Sequence, residues 1–551
     1  MPSGPVTGNA LPGSGYHESF IENRIASAGA ASCDAGDTMI ETELKISLDA
    51  AGEAKLARNA GLRTMRVAPR RTKQLVSIYY DTEDHALAGA GIALRLRRDG
   101  RRWIQTIKSR AETASASGLF ANREIEQPAP GGRLVLKGAD PVFAAIAAAR
   151  GDAGLAPVFE TRVRRIVERL TPPGGGEVEL AIDQGEIVAG ENREPILEAE
   201  LELVSGDVGA VYSLARCLFR DGPVRFAASN KSARGYALAR GESKPEAIRP
   251  RLAGALDYPS EASVESVARD VLRDCFAQIA GNLAVVADSD MPEGPHQLRV
   301  GLRRLRSALG LFKPYLGDAP ALNEMARDLG RQVSGLRDLD VLIGDVGKLA
   351  EGGLDQAARD ALIAELDSRR RALRVELRRA LVAPEVPAFL FDLARFIEAR
   401  GWLAPADFTQ SARLATPIAE AAPALLAKRY RRVRRLARGL EELDHDALHA
   451  LRKELKKLRY GAEMLAPIYP GRKVAEYLRR LKDLQDSFGS LTDAAMAAGL
   501  LTGEDAPGRK SAEVQRATGW VLGCLSVTVA DDRPRIFERW RTLADARPFW
   551  T

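Results

Sequence analysis

The residues at positions 41–45, Glu41-Thr42-Glu43-Leu44-Lys45, space two carboxylates and an ammonium two residues apart. Successive side chains of a β-strand point to opposite faces, so the two glutamates and the lysine would share one charged face. This combination suits a hard divalent cation beside an anionic substrate, since Mg²⁺ in proteins is commonly held by one or two carboxylates and substrate phosphates. A solvated strand face would carry the same residues, so the later strands decide between the two interpretations.

Later segments repeat this alternation of charge. The residues concerned are Arg95 and Arg97, Thr106 and Lys108, Glu198, Glu200 and Glu202, and Asp183, which we expect to end a strand before a turn. On an open sheet these faces would be solvated, whereas in a closed barrel they would line the lumen. A lumen with carboxylates on one wall and Arg/Lys on the other would hold a metal-bridged polyanion, and without substrate such charges would repel one another.

The elements that must position these residues are short and strand-like from residue 39 to about residue 239. Turn-forming sequences separate strands predicted at 74–80, 92–98, 103–108, 123–127, 158–170, 177–183, 186–189 and 197–204. Helices are predicted at 50–60, 140–150 and 208–221. This pattern predicts an α+β domain with enough strands to close a barrel.

The bulk composition sets the wider organisation. A chain of 551 residues is too long to fold around one compact core, so two or three domains are expected. Its 45% hydrophobic and 28% charged residues are typical of soluble globular proteins. We expect a disordered tail at 1–37, a linker at 241–255 and an all-α domain at 256–551. Four scattered cysteines, no apolar run long enough to span a membrane and no leader pattern predict a cytoplasmic protein without a membrane partner.

The ordered motifs of the first half resemble the CYTH domain, the triphosphate tunnel metalloenzyme fold, over residues 38–240. They are Glu41-x-Glu43-x-Lys45, Tyr80-Asp81-Thr82, Leu94-Arg95-Leu96-Arg97, Thr106-x-Lys108, Glu198-x-Glu200-x-Glu202 and the segment Ser229 to Gly235. The resemblance implies an eight-stranded antiparallel tunnel that hydrolyses a linear triphosphate with Mg²⁺ or Mn²⁺. The family also includes enzymes that act on organic triphosphates such as thiamine triphosphate or ATP.

The resemblance also implies roles for individual residues. The catalytic residues would be Glu41, Glu43 and Lys45. The metal carboxylates would be Glu41, Glu43, Glu200 and Glu202, with Glu198 and Asp183 as helpers. The phosphate cradle would be Lys45, Arg95, Arg97, Lys108, Lys231 and Arg234, completed by Arg162 or Arg165, of which Arg165 fits the family spacing better. Either Glu124 or Glu126 would add a further tunnel carboxylate.

The second half contains an internal repeat. The pattern His296-x-x-Arg299-x-x-x-Arg303-Arg304-x-Arg306 recurs as His449-x-x-Arg452-x-x-x-Lys456-Lys457-x-Arg459, displaced by 153 positions (449 − 296). Leucines at 298, 302 and 305 and their counterparts form one stripe of each helix, opposite a basic face. Two related helical bundles are therefore predicted, and two basic faces brought together would form a groove for a long polyanion.

These repeated residues resemble the CHAD domain, a helical domain with conserved histidines. The resemblance implies binding of inorganic polyphosphate without catalysis and leaves association with polyphosphate granules open. The binding residues would be His296, Arg299, Arg303, Arg304, Arg306, Arg337, His449, Arg452, Lys453, Lys456, Lys457, Arg459 and Lys482. Asp338, Asp340 and Asp486 would either bind metal or, as we favour, orient the basic side chains through salt bridges.

Three functions remain in competition from the sequence. The first is an inorganic triphosphatase fused to a polyphosphate-binding domain, which the full set of tunnel carboxylates favours. The second is a non-catalytic protein that docks on polyphosphate through both halves. The third, nucleic-acid binding by the basic helices, is disfavoured by a net charge of only +6 and by 6% aromatic residues, since base stacking uses aromatic side chains. The sequence sets no oligomeric state.

Overall fold

A computed structural model describes residues 39–110, 118–242, 248–349, 353–404, 406–469, 471–504, 506–508 and 511–551. The tail predicted at 1–37 lies outside these ranges, as do residues 243–247 of the predicted linker. Among the helices described here, none is long and apolar enough to cross a membrane.

The first half is built around an antiparallel barrel. Its strands are β1 Met39–Ser47, β2 Arg71–Asp81, β3 Ile92–Asp99, β4 Arg102–Arg110, β5 Leu119–Pro128, β6 Ala156–Leu170, β7 Glu177–Ala189, β8 Asn192–Ser205 and the short β9 Arg225–Phe226. The sheet order is β5-β4-β3-β2-β6-β7-β8-β1, and β1 also pairs with β5, so eight strands close on themselves. The predicted eight-stranded antiparallel barrel is confirmed.

Helices flank the barrel and make up the whole second half. Those of the first half are α1 Ala50–Ala57, α2 Ala60–Met65, α3 Ala86–Gly89, α4 Pro141–Arg150, α5 Gly209–Leu218 and α6 Lys231–Ala239. Those of the second half are α7 Val264–Asp288, α8 Glu293–Leu316, α9 Pro320–Leu349, α10 Gln356–Leu381, α11 Glu385–Glu398, α12 Phe408–Ala415, α13 Ile418–Leu436, α14 His445–Leu465, α15 Arg472–Thr502 and α16 Ala512–Ala544. The predicted all-α second half is confirmed.

Strand β7 differs from the prediction because it runs without a break from residue 177 to residue 189. Asp183 was expected to end a strand, yet it lies in the middle of β7, opposite Arg165 of β6 and Glu198 of β8. The turn expectation was wrong. A Cβ atom on Gly185 would come within 1.9 Å of the carbonyl oxygen of Arg162, so this glycine permits close approach of two strands.

The outer surface of the barrel shares one hydrophobic core with the helical half. Leu44 and Ile46 of β1 point away from the lumen into this core, which continues through α5 to α7 and α11. Phe226 of β9 packs edge-on against Phe276 and Phe391, with ring centroids 5.3 and 5.8 Å away. Because the two halves bury apolar surface against each other, experiments on the barrel are best made with the whole chain.

Candidate functional site

The barrel encloses a cavity of about 760 Å³ with an inner wall rich in charge. Most of the residues predicted for the tunnel line it, on the alternate positions expected of strands. They are Glu41, Glu43, Lys45, Arg95, Arg97, Lys108, Arg165, Glu200, Glu202 and Lys231, with both Glu124 and Glu126. Asp183, Glu198 and Arg234 are not among the described lining residues and lie behind this layer, in contact with it.

Lys45 lies at the centre of the charged wall. Its Nζ donates to Glu43 of the same strand at 2.7 Å and to Glu200 of β8, and all three residues are buried. Burial opposes the positive charge, but the two carboxylates outweigh it and raise the pKa of Lys45. The lysine is therefore a permanent cation in the lumen.

Lys231 and Arg165 hold a second cluster of charge. Lys231 begins α6 directly after Asn230, whose side chain accepts a hydrogen bond from the Ala233 backbone and so caps the helix. The Lys231 ammonium contacts Asp183 at 2.7 Å and Glu200 at 2.8 Å, and it also contacts Glu198. A forked pair joins Arg165 to Asp183 at 2.7 and 2.6 Å.

Lys108 and Arg95 form the opposite wall with Glu124. The Lys108 ammonium contacts Glu41 and lies 3.0 Å from Glu124, while Arg95 lies 3.3 Å from Glu124 and donates to the Tyr79 hydroxyl at 3.5 Å. Arg97 is more loosely held, with a distance of 3.8 Å to Glu126. Of the two candidate glutamates, Glu124 therefore makes the shorter ion pairs, with Lys108 and Arg95, and Glu126 makes the longer one with Arg97.

The expected repulsion between like charges holds at only one part of the lumen. Elsewhere the predicted cations pair with carboxylates. Lys45, Lys108, Arg165 and Lys231 contact predicted metal carboxylates, whereas Arg95 and Arg97 lie next to Glu124 and Glu126. Glu202 is the exception. Burial and the negative charges of Glu41, Glu179 and Glu43 raise its pKa to about 7.

The six predicted metal carboxylates fall into two groups by this criterion. Asp183, Glu198 and Glu200 lie within 4.8 Å of one another and could hold a metal ion, yet Lys231 and Arg165 already neutralise much of their charge. Glu202 lies next to Glu41 and Glu43, and its raised pKa records a local excess of negative charge, although Lys108 contacts Glu41 and Lys45 contacts Glu43. Hard carboxylate oxygens with uncompensated charge fit a divalent cation.

The structure separates the two arginines left open by the sequence. Arg165 lines the cavity, whereas Arg162 lies on the outer face, with 53% of its side chain exposed, and pairs with Glu160. Arg234 forms ion pairs with Glu194 at 2.6 Å and Glu198 at 3.0 Å. Arg234 therefore lies outside the cavity lining and holds Glu198, which in turn contacts Lys231 of the lining.

Several lining residues were absent from the predicted site: Glu179, Tyr79, Arg71 and Lys73. Glu179 shares the face of Asp183 at a spacing of four residues, so the alternation already applied to β8 would have found it. The two basic residues were missed because the strand predicted at 74–80 begins three residues after β2 does. When the alternation of side chains is extended to Arg71, the true start of β2, Arg71 and Lys73 fall on the face that lines the cavity.

The basic faces of the two repeats meet in the helical half. Leu298, Leu302 and Leu305 of α8 and Leu451, Leu455 and Leu458 of α14 are all buried, as predicted for the apolar stripe. On the opposite side, Arg303 of α8 feels the charges of both Arg299 and Arg459, and Lys456 of α14 feels those of Arg303 and Arg452. His296 lies close enough to Arg337 and Arg303 for its pKa to be lowered by burial and then by those charges.

We name these residues the central basic cluster: His296, Arg299, Arg303, Arg337, Arg452, Lys456 and Arg459. The ion pairs of the described residues join this cluster to three carboxylates, Asp338, Asp493 and Glu463, the last at 3.5 Å from Arg459. Asp338 binds Arg299 at 3.0 Å and so orients it, as we favoured from the sequence, and Asp493 lies 3.9 Å from Arg452. The cluster carries a large excess of positive charge, which anions would neutralise.

Other predicted polyphosphate-binding residues lie elsewhere. Arg304 is 5% exposed and turns toward α7, where it binds Asp274 at 2.7 Å and Gln278 at 2.9 Å. Its counterpart Lys457 binds Glu454 at 2.7 Å. The helical period explains both, since a residue next to the basic face in sequence is turned by about 100° from it. The remaining members are the exposed Lys453 and Lys482 and the half-buried Arg306 and His449.

Parts of the chain are similar to known protein families and to individual proteins. Two family models match the chain, the CYTH domain over residues 39–236 and the CHAD domain over residues 270–502. An inorganic triphosphatase of Haemophilus influenzae is 32% identical over 169 residues, which are 30% of this chain and 46% of that protein. Two proteins of Mycobacterium tuberculosis described as uncharacterized are each 28% identical over 483 residues, 80% of this chain and 86% of theirs. The crystal structure of the CHAD domain from the plant Ricinus communis is 26% identical with a TM-score of 0.47, covering 54% of this chain and 98% of its own.

Proposed function

Because the chain combines a CYTH domain with a CHAD domain, we propose that it is a metal-dependent inorganic triphosphatase whose helical half binds inorganic polyphosphate. We place the functional units at residues 38–240 and 256–551, joined by 241–255. The single observation that supports the catalytic part best is the barrel cavity, whose wall carries both cations and carboxylates, most of them joined in ion pairs.

The cations of this wall suit the phosphoryl oxygens of a triphosphate. Five of them line the cavity and form hydrogen bonds or ion pairs with its carboxylates: Lys45, Arg95, Lys108, Arg165 and Lys231. On substrate entry, these groups would exchange their carboxylate partners for phosphoryl oxygens. The carboxylates released in this way, together with Glu202, would then be free to hold Mg²⁺ or Mn²⁺.

The chain itself supplies positioning and charge. A bound divalent ion would polarise phosphoryl oxygens and lower the pKa of water next to it. The buried Lys45 stays charged because Glu43 and Glu200 flank it, so it can stabilise negative charge that grows during the reaction. Lys45, Glu43 and Glu200 are buried in the barrel wall, and their low exposure to water strengthens the electrostatic contacts among them.

The test is phosphate release by the whole chain. Inorganic triphosphate, ATP and long-chain polyphosphate are each supplied with Mg²⁺, Mn²⁺ or EDTA, and phosphate and pyrophosphate are quantified. Metal-dependent turnover strongest on triphosphate is expected. Absence of turnover by folded protein that still binds polyphosphate would favour the non-catalytic docking protein, and a preference for ATP would favour an organic triphosphate.

Binding of polyphosphate to the central basic cluster is expected to take up a proton. Burial, followed by the charges of Arg303, Arg452 and Arg299, lowers the pKa of Lys456 to about 6, with Asp493 opposing the shift. Lys456 is therefore largely neutral at pH 7.5 in the free protein, and a bound polyanion would raise its pKa and protonate it. Affinity should fall as the pH rises above about 6, by up to about tenfold per pH unit until the bound-state pKa is passed.

Calorimetric titrations in buffers of different ionisation enthalpy measure this proton uptake. The variant Lys456→Met should remove the Lys456 part of the uptake, while Lys473→Met, an exposed lysine of α15, should retain it. Equal uptake by both variants would contradict the assignment. The lowered pKa of Lys456 also sets how the stability of the free protein depends on pH. Between about pH 6 and the ordinary pKa of lysine the unfolded chain binds more protons than the folded one, so raising the pH stabilises the fold.

A further inference from the structure

The cavity continues beyond the cations that suit a triphosphate. From the level of Tyr79 and Arg95, which face each other across β2 and β3, the inward face of β2 runs outward to Lys73 and then Arg71. Arg97 continues β3 in the same direction. The lumen therefore has an inner part, already described, and an outer part, which begins beyond Arg97 and whose basic residues, Arg71 and Lys73, the proposed reaction has not used.

The outer basic residues are continuous with the inner ones. Lys73 lies directly opposite Arg165 in the pairing of β2 with β6, which sets their Cβ atoms about 5 Å apart. Arg71 is two residues further along the same inward face, about 7 Å beyond Lys73. Arg165, Lys73 and Arg71 thus form a row of cations that leads from the inner cavity toward its opening.

The outer part carries more positive than negative charge. Lys73 pairs with Asp99 at 3.1 Å, but 42% and 39% of the two side chains are exposed, so the pair is readily exchanged. At the inner limit of this part, Arg97 lies 3.8 Å from Glu126, and its Nε atom is buried without a hydrogen-bond partner among the described residues. A buried donor without a partner favours an arriving acceptor.

We infer that Arg71 and Lys73, which lie beyond Arg97, form an outer subsite for the phosphoryl groups beyond the third of a linear inorganic polyphosphate. This inference rests on the proposed function, because the inner cations must hold the first three groups. Each further phosphoryl group brings an additional negative charge and oxygen acceptors, for which Arg and Lys are suitable donors. Of the described residues that line the cavity, only Tyr79 is aromatic, and it belongs to the inner part, so the outer wall offers no ring to stack a nucleobase.

The experiment compares inorganic tetraphosphate with inorganic triphosphate in the whole chain. For the double variant Arg71→Met with Lys73→Met, the ratio of kcat/KM on tetraphosphate to kcat/KM on triphosphate should fall about tenfold, through a higher KM for tetraphosphate. The matched control is Arg162→Met with Arg193→Met, two exposed arginines on the outer barrel surface, which should leave the ratio unchanged. Arg71→Met alone, at an exposed position, supplies a second variant expected to fold.

The possible results separate this inference from the proposed function. An equal loss on both substrates, or an unchanged ratio in a variant that melts like the wild type, would overturn the outer subsite. If the variants lower only turnover of ATP, the outer part receives an organic group and the subsite is again refuted. Absence of triphosphate hydrolysis by the wild type would instead refute the proposed triphosphatase.

Discussion

Replacing Glu43 with glutamine is expected to reduce metal-dependent triphosphate hydrolysis by about 100-fold or more. Glu43 lines the cavity, is 4% exposed and lies next to Glu202, whose raised pKa records a local excess of negative charge. Glutamine keeps the shape and can still accept from Lys45, but it removes the charge that a divalent ion requires. Phosphate release at saturating Mg²⁺ or Mn²⁺ measures the effect.

The control for this variant is Glu186→Gln, on the outer face of β7. Glu186 pairs with Arg193 at 2.9 Å and is not among the lining residues described. Its removal should leave turnover within about twofold of the wild type, since exposed ion pairs contribute little. Comparable turnover by Glu43→Gln and the wild type, with unchanged melting, would remove Glu43 from the metal site.

The double variant Arg303→Met with Arg452→Met is expected to weaken polyphosphate binding and to stabilise the free protein. Both guanidinium groups belong to the central basic cluster, and burial together with neighbouring cations lowers the pKa of each. Loss of two charge-assisted contacts should reduce polyphosphate affinity by about 100-fold or more. Removal of the repulsion should raise the Tm of the free protein, by about 1–2 °C for each kcal/mol gained in a cooperative unit of this size.

The opposite signs of these two effects distinguish a binding role from a structural one. Fluorescence-based titration with long-chain polyphosphate and thermal melting without it measure them on the same samples. Arg479→Met with Arg541→Met, whose side chains are 65% and 72% exposed, should change neither quantity by much. A variant of the central basic cluster that melts at lower temperature and still binds polyphosphate would contradict the prediction.

The sequence by itself determined which residues share one face of a strand, and closure of the barrel made that face the lumen. The alternation of side chains along a strand is a local property, so Glu41, Glu43 and Lys45 could be assigned to one face before any partner strand was known. The same holds for the helical repeat, because a period of 3.6 residues fixes the leucine stripe relative to the basic face. The helical period also explains why Arg304, which is adjacent in sequence to a residue of the basic face, lies buried against Asp274.

Only the tertiary structure decided which charges meet. The partners of Lys45, Lys108 and Lys231 come from strands far away in the sequence, and their identity depends on strand order and register. For this reason pairing of unlike charges replaced the expected repulsion along most of the lumen, while Glu202 was left among other carboxylates. The start of β2 and the unbroken course of β7 were likewise set by pairing with neighbouring strands, which local turn preferences do not record.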